Sequence, residues 1–197
     1  MVYIQKKKDI LWGGATASSQ YEGGYDLDGK GLDTQDCRPY LKRTSDATTA
    51  TRLLTQEVID EAKKCQGIGN YPFRKGSDGY HHIDEDIALL KELGIDIYRF
   101  SISWARLYPQ GDELEPNKEG IAFYDHIFKE VHKAGMKIFL TMNHYAVPLY
   151  LVENYGGWTN RKLVTFYERF AKTVFEHWGQ YIDYFLPFNE INAGYFS

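Results

Sequence analysis

Three short apolar segments, spaced at near-equal intervals, constrain the fold of this chain more than any other feature of its sequence. They begin near residues 95, 136 and 182 and read IDIYRFSI, MKIFLTMN and IDYFLPFN. Each is rich in β-branched and aromatic residues, as strands are. Apolar strands that alternate with amphipathic helices are typical of a parallel sheet covered by helices.

One amphipathic helix is predicted before each of these strands. The first is predicted to begin with Asp84 as its N-cap and to end near Gly94. The second ends at Gly135, and the third runs from Asn160 to Gly179. The helices are marked by apolar residues at helical spacing: Ile87, Leu90 and Leu93; Ile121, Tyr124, Ile127, Phe128 and Val131; Leu163, Tyr167, Phe170, Val174 and Trp178.

An earlier apolar segment, ILWGGATA at residues 10–17, is predicted to be the first strand. Residues 24–80 are rich in Gly, Asp, Thr and Lys and are interpreted as a long loop with a short helix near 55–65. At 197 residues, a single domain is the default. Two α/β architectures fit four such units: an open doubly wound sheet, or the first half of a (β/α)₈ barrel.

Both architectures place functional groups on the loops that follow the strands, so the strand ends identify the candidate site. Each group found there also has a structural explanation when taken singly: a solvated loop carboxylate, an arginine paired with a structural acid, or a histidine that only stabilises the fold. Four consecutive strand ends that all carry polar groups favour a functional site instead. The groups are Gln20 and Glu22, Arg99 and Trp104, Asn143, His144 and Tyr145, and Asn189 and Glu190.

This set of side chains suits a polyhydroxylated ligand. Amides such as those of Gln20 and Asn189 both donate and accept hydrogen bonds, which matches vicinal hydroxyl groups. Phe185, Leu186 and Phe188 are predicted to be buried in the last strand, and Glu190 follows them at its end. A carboxyl group in a partly apolar cleft favours its protonated form and can act as an acid. Glycoside hydrolysis needs such an acid and a second carboxylate.

Composition argues against several other classes of function. The net charge is −4 and the longest like-charge run is Lys6 to Lys8, so neither a nucleic-acid nor a membrane-surface partner is expected. No stretch approaches the roughly 18 apolar residues of a membrane span. The N-terminus lacks the apolar core of a secretory signal, which predicts a cytoplasmic protein with Cys37 and Cys65 reduced.

Two further motifs could suggest a phosphate site or a metal site instead. GYDLDGKG at 24–31 resembles a phosphate-binding loop, but Gly31 replaces the required Ser or Thr. Binding of a phosphorylated small molecule there remains an alternative. His81 and His82 lie near acidic residues, and a turn that precedes the Asp84 helix explains them better than a metal site. No metal and no cofactor are predicted.

Five ordered segments resemble glycoside hydrolase family 1, the β-glucosidases and 6-phospho-β-glucosidases. They read LWGGATASSQYEGG, GKGLDTQD, YHHIDEDIALLKELGIDIYRFSISWARLYPQGD, NHYAVPLYLVENYGGWTN and FLPFNEIN. The resemblance implies a (β/α)₈ barrel with about four βα units present, so that residues 1–197 are the N-terminal part of a single barrel domain. It also implies that Glu190 is the general acid/base, that Arg99 orients the nucleophile, and that Gln20, His144 and Asn189 bind the sugar.

Tyr145 departs from the family pattern, in which Trp or Phe often follows the histidine. The resemblance is closer to the 6-phospho branch, with Tyr145 as a further substrate-binding residue. The family's second carboxylate, the Glu of a Thr-Glu-Asn-Gly motif, has no counterpart in residues 1–197. The chain is therefore predicted to be an inactive fragment that self-associates through the exposed sheet edges. A non-catalytic sugar-binding protein is the alternative.

Overall fold

A four-stranded parallel sheet forms the centre of the molecule. The computed structural model describes residues 10–42 and 54–191. The strand order is β1-β2-β3-β4, and each strand pairs in parallel with the next along the chain. A doubly wound sheet reverses its order at a switch point, whereas a barrel adds strands in sequence, so this order is that of a barrel. The strands are β1 (Gly13–Ala15), β2 (Ile97–Ser101), β3 (Lys137–Asn143) and β4 (Tyr184–Phe188).

Helices alternate with these strands, as the sequence predicts. The described residues form α1 (Ser18–Tyr21), α2 (Gln56–Lys64), α3 (Gly79–Glu92), α4 (Trp104–Leu107), α5 (Lys118–Lys133), α6 (Leu149–Tyr155) and α7 (Lys162–Trp178). Short 3₁₀ turns cover Pro72–Arg74, Gly157–Thr159 and Gly179–Tyr181. The short helix predicted near 55–65 is confirmed by α2, where the Thr55 side chain accepts a hydrogen bond from the Val58 amide.

The predicted start of α3 is wrong. The helix begins at Gly79, so Asp84 lies inside it, and His81 and His82 belong to its first turn rather than to a preceding one. A Cβ atom at position 79 would lie 2.3 Å from the Tyr21 ring. The chain therefore enters α3 where only glycine fits against α1, which the periodicity of the apolar residues does not reveal.

The predicted ends of α3 and α5 are confirmed. Gly94 and Gly135 each follow the last helical turn, with φ of 70° and 83° respectively. These left-handed conformations suit glycine, and they turn the chain from each helix into the strand that follows.

The apolar faces of α3, α5 and α7 pack on the sheet and form the main core. Phe128 of α5 stacks on Trp178 of α7, with ring centroids 5.0 Å apart and an interplanar angle of 4°. Both side chains are fully buried, and burial of one such side chain stabilises a fold by about 1.5–3 kcal/mol. This packing fixes α5 and α7 against β3 and thereby sets the positions of the strand ends.

β4 is less buried than the sequence predicts. Phe185 is 49% exposed, and Leu186 and Phe188 are only half-buried. The reason is that β4 pairs with β3 on one side only, so it is an edge strand among the described residues, as β1 is at the other end. A strand edge with unpaired backbone groups invites pairing with another chain.

Two predictions from composition concern membranes and thiols. Within residues 10–42 and 54–191, no helix has both the length and the apolar character needed to span a bilayer. Cys37 and Cys65 are both free thiols. Burial raises the pKa of the Cys37 thiol to about 12, so this group stays protonated at neutral pH.

Candidate active site

Arg99 joins the C-terminal ends of three neighbouring strands. It lies on β2, and its Nε donates a hydrogen bond to Oγ1 of Thr141 on β3, at 2.9 Å. Its Nη2 donates to Oδ1 of Asn189, which follows β4, at 2.6 Å. No salt bridge joins Arg99 to a carboxylate in the part of the chain that the structure describes. Two of its nitrogens are thus fixed by neutral partners.

Asn189 is held by its backbone as well as by its side chain. Its amide donates to the carbonyl of Asn143, at 2.9 Å, which continues the pairing of β3 and β4 beyond the last strand residues. Nδ2 of Asn143 in turn donates to the carbonyl of Ala146, at 2.8 Å, and closes a tight turn after β3. Because Asn143 is buried, this turn is a fixed support for the two residues it contains, His144 and Tyr145.

His144, Tyr145 and Glu190 lie together above these strand ends. The phenol of Tyr145 donates a hydrogen bond to Oε2 of Glu190. The rings of His144 and Tyr145 meet edge to face, with centroids 4.9 Å apart. The structure therefore brings together five of the six site residues that the sequence predicts, namely Arg99, His144, Tyr145, Asn189 and Glu190.

The charge state of His144 follows from its surroundings. Burial lowers the pKa of the imidazole below its usual value, and the positive charge of Arg99 lowers it further, whereas Glu190 acts in the opposite direction. His144 is thus a neutral imidazole at neutral pH. In that form one ring nitrogen donates and the other accepts a hydrogen bond, so the ring can either donate to a hydroxyl group or accept from one.

Glu190 is exposed, which differs from the partly apolar cleft that the sequence predicts. It follows the edge strand β4, whose edge away from β3 pairs with no described strand. Desolvation of this carboxyl group would therefore require groups beyond those that the structure describes here.

Gln20, the sixth predicted site residue, is not joined to the other five by a side-chain hydrogen bond among the described residues. It is an exposed residue of α1, directly after β1. The Ser18 amide donates to Oγ of Ser101 on β2, at 2.7 Å, and the Thr16 amide donates to the Arg99 carbonyl, at 2.9 Å. These bonds fix α1 beside β2. Between described residues, no hydrogen bond joins the Gln20 side chain to the other predicted groups.

Two groups that the sequence places at the strand ends belong to the interior instead. Glu22 is buried, receives a hydrogen bond from the Tyr124 hydroxyl at 2.6 Å, and pairs with the fully buried Arg106 at 3.2 Å. Trp104 is 1% exposed and packs against Phe170 and other aromatic rings. Their position just after a strand misled the sequence interpretation, because the first residues after a strand can still turn into the core.

Thr141 was missed by the sequence interpretation. It is fully buried on β3, and its hydroxyl is the acceptor that fixes Nε of Arg99. Its register partners are Ser101 on β2 and Leu186 on β4. A polar residue in the middle of an apolar strand was the available signal, because a buried hydroxyl needs a hydrogen-bonding partner.

The Gly24–Gly31 segment does not present a free lysine to a phosphate. Lys30 is buried and pairs with Asp36 at 2.6 Å and with Asp33 at 3.3 Å. Burial alone would lower the pKa of Lys30, but the two aspartates outweigh burial and raise it. Across the described residues, no group of three or more His, Cys, Asp or Glu side chains is arranged to hold a metal ion.

Comparison with known proteins bears on the family and the fold of the chain. The model of Glycosyl hydrolase family 1 matches residues 3–196. The chain is 44% identical over 186 residues to Aryl-phospho-beta-D-glucosidase BglH of Bacillus subtilis, covering 93% of the chain and 36% of the relative. It is 42% identical over 185 residues to 6-phospho-beta-glucosidase AscB of Escherichia coli, covering 94% of the chain and 37% of that protein.

A similar fold occurs in a solved structure. The structure of aphid myrosinase superposes on 97% of the chain with a TM-score of 0.76 and 30% identity, and the match covers 37% of that protein. The chain thus spans little more than a third of the length of each of these three proteins. The parallel βα units agree with part of a barrel of this kind.

Proposed function

The chain belongs to glycosyl hydrolase family 1, and we propose that the protein containing it is a retaining β-glycosidase with Glu190 as its general acid/base. One observation carries the proposal. Two hydrogen bonds, from Arg99 to Asn189 and from Tyr145 to Glu190, bring polar groups together at the ends of three adjacent parallel strands. Sites in barrels of this type are built at that end of the strands.

The proposed mechanism gives each group a chemical task. Protonated Glu190 donates its proton to the glycosidic oxygen while a second carboxylate attacks the anomeric carbon, and Glu190 then removes a proton from the incoming water. In retaining enzymes the two carboxyl groups lie roughly 5–5.5 Å apart. Arg99 is proposed to orient the second carboxylate, and its guanidinium has unused donor capacity for that contact.

Asn189, His144 and Gln20 are proposed to bind the sugar hydroxyls. Oδ1 of Asn189 accepts from Arg99, and its NH₂ group, which also lies beside the Tyr145 hydroxyl, is proposed to donate to the ligand. Neutral His144 supplies one further donor or acceptor. Gln20 projects from α1 beside β2, so a ligand above the strand ends could bridge it to the other groups.

The proposed substrates are 6-phospho-β-glucosides. Support comes from the 44% and 42% identity to an aryl-phospho-β-D-glucosidase and a 6-phospho-β-glucosidase. A cytoplasmic location goes with this proposal, because a phosphorylated sugar is charged and does not cross a bilayer unaided. For residues 1–197 alone we propose little or no hydrolysis, since no described carboxylate pairs with Arg99.

The test uses the full-length protein that contains this segment. It is assayed on matched phosphorylated and unphosphorylated β-glucosides, and proton NMR of the earliest product gives the anomeric configuration. We expect turnover of the phosphorylated series with retention. Inversion at the anomeric carbon contradicts the mechanism, and equal turnover of both series contradicts the substrate class.

A variant tests the role of Glu190 directly. Glu190→Gln should reduce kcat/KM far more for substrates with poor leaving groups than for activated aryl glycosides, because only the former need a proton donor. Glu168→Gln, on an exposed position of α7, is the matched control and should leave both rates unchanged. Equal losses on the two substrate classes in Glu190→Gln would exclude Glu190 as the acid.

A further inference from the structure

We infer that Thr141 is a positioning residue for the reaction, whose hydroxyl sets the direction of the Arg99 guanidinium and thereby the place of the second carboxylate. The inference rests on the proposed function, in which Arg99 orients that carboxylate. The observation that carries it is the hydrogen bond from Nε of Arg99 on β2 to Oγ1 of Thr141 on β3, at 2.9 Å. Because the Thr141 side chain is fully buried, it acts through Arg99 and not by contact with a ligand.

Arg99 and Thr141 lie on the same face of the sheet. The parallel register pairs Arg99 with Phe139, and side chains alternate between the two faces of a strand, so Thr141 follows Phe139 on that face. The residues between them, Phe100 and Leu140 among others, belong to the main core on the opposite face. The polar pair is therefore on the face away from the helices, which is the inner face of a barrel.

Three contacts restrict the Arg99 guanidinium. Its Nε is bonded to Thr141, and its Nη2 donates to Oδ1 of Asn189 at 2.6 Å. The guanidinium carbon also lies 5.7 Å from the centroid of the Phe139 ring. The guanidinium is planar and its donors have a fixed geometry, so bonds to two of its nitrogens set the direction of the remaining donors.

The remaining donors of Arg99 are suited to a carboxylate. Thr141 and Asn189 are neutral acceptors and use two of the five N–H groups. Paired arginine and carboxylate groups often form two parallel hydrogen bonds, which requires their planes to match. A guanidinium that turns would therefore displace the second carboxylate from the anomeric carbon, and a displacement of about 1 Å can cost about 100-fold in rate.

The experiment compares Thr141→Val with the wild type in the full-length protein. Valine has nearly the shape of threonine but lacks the hydroxyl acceptor. We expect kcat/KM to fall about 10- to 100-fold, the effect of losing one hydrogen bond to a charged group. The loss should be similar for activated aryl glycosides and for substrates with poor leaving groups, because the second carboxylate attacks in both cases. Thr141→Ser keeps the hydroxyl and should retain most of the rate.

Thr173→Val is the matched control. Thr173 is a buried residue of α7, and its hydroxyl lies 2.7 Å from the Tyr108 hydroxyl. The control therefore also removes a buried hydrogen bond between two side chains, but it leaves Arg99 untouched, and its kcat/KM should not change. Equal losses in the two valine variants would overturn the inference. If Thr141→Val does not fold, Thr141→Cys is measured instead, because its thiol is a weaker acceptor and should also lower kcat/KM.

A second measurement follows the contact without catalysis. Exchange of the Arg99 Nε proton with solvent, measured by NMR, should be slow in the wild type and in Thr141→Ser and faster in Thr141→Val. An unchanged exchange rate, or an unchanged kcat/KM in Thr141→Val, overturns the inference. Failure of the proposed function is recognised separately, because in that case Glu190→Gln would not selectively impair substrates with poor leaving groups.

Discussion

Replacing Arg106 by methionine tests how the interior of this chain supports its strand ends. The Arg106 guanidinium is fully buried, pairs with Glu22 at 3.2 Å, and donates to the carbonyl groups of Gly23 and Gly24 at 3.0 and 3.2 Å. The Glu22 side chain is 5% exposed, and its other partner is the Tyr124 hydroxyl. Methionine would fill much of the space and leave Glu22 as a buried carboxylate without a cation.

The expected loss is large for a single substitution. Breaking a buried ion pair by removing one partner costs about 3–5 kcal/mol in the free energy of unfolding. Replacing both charges by apolar groups is often close to neutral. The double variant Glu22→Leu/Arg106→Met should therefore recover most of the loss, apart from about 1 kcal/mol for the Tyr124 hydroxyl that loses its acceptor.

The assay is equilibrium urea unfolding of the full-length protein, followed by tryptophan fluorescence. With an m-value of roughly 3 kcal/mol/M, Arg106→Met should lower the unfolding midpoint by about 1–2 M. Lys63→Met is the control, because it breaks a 2.8 Å pair with Glu153 in which the lysine is 46% exposed. That loss should stay below about 1 kcal/mol. The reasoning is refuted if Arg106→Met costs no more than the control, or if the double variant is no more stable than Arg106→Met.

Three further predictions concern a titration, a buried arginine and the sheet edge. The pKa of the His144 ring should lie below 6.5 in an NMR titration of the full-length protein. Because the folded state favours the neutral ring, the free energy of unfolding should fall as pH drops from about 6.5 to that lowered pKa. His144→Gln should remove this part of the pH dependence. Arg74→Met removes donors to the carbonyls of Ala62 and Cys65 at the end of α2, and should lower the free energy of unfolding by about 2–4 kcal/mol. Limited proteolysis should then cut residues 54–67 earlier than in the wild type. Equal cleavage rates would contradict this prediction. Residues 1–197 alone should self-associate without hydrolysing glycosides. Tyr184→Glu, which places a charge on the exposed edge strand, should reduce the fraction of oligomer seen by sedimentation. Glycoside turnover by residues 1–197, or an oligomer fraction that Tyr184→Glu leaves unchanged, would contradict these predictions.

Local pattern was sufficient for the order of the elements. The strands β2, β3 and β4, the helix α2 and the glycine ends of α3 and α5 all lie where residue type and spacing predict them. These features depend on residues that are close in the chain, and a window of about 11–18 residues is enough to show a helical or strand-like spacing of apolar residues. The placement of Asn189 and Glu190 after β4 was predictable for the same reason.

Features that depend on distant partners were not predictable in this way. Glu22 occupies a position after β1 that suits a site residue, yet it is paired with Arg106, 84 residues further along the chain. The first turn of α3 depends on how Gly79 meets Tyr21. Phe185 has the composition of a buried strand, but its exposure depends on whether another strand pairs with β4.

Residue type and spacing were therefore enough to predict the alternation of strands and helices, the parallel sheet and the polar residues at the strand ends. Which side chains meet depends on the folded chain: Arg99 contacts Thr141 and Asn189, and Tyr145 contacts Glu190. Secondary structure follows from short-range periodicity, whereas a hydrogen bond or an ion pair forms only where the packing of the whole sheet brings two specific groups together.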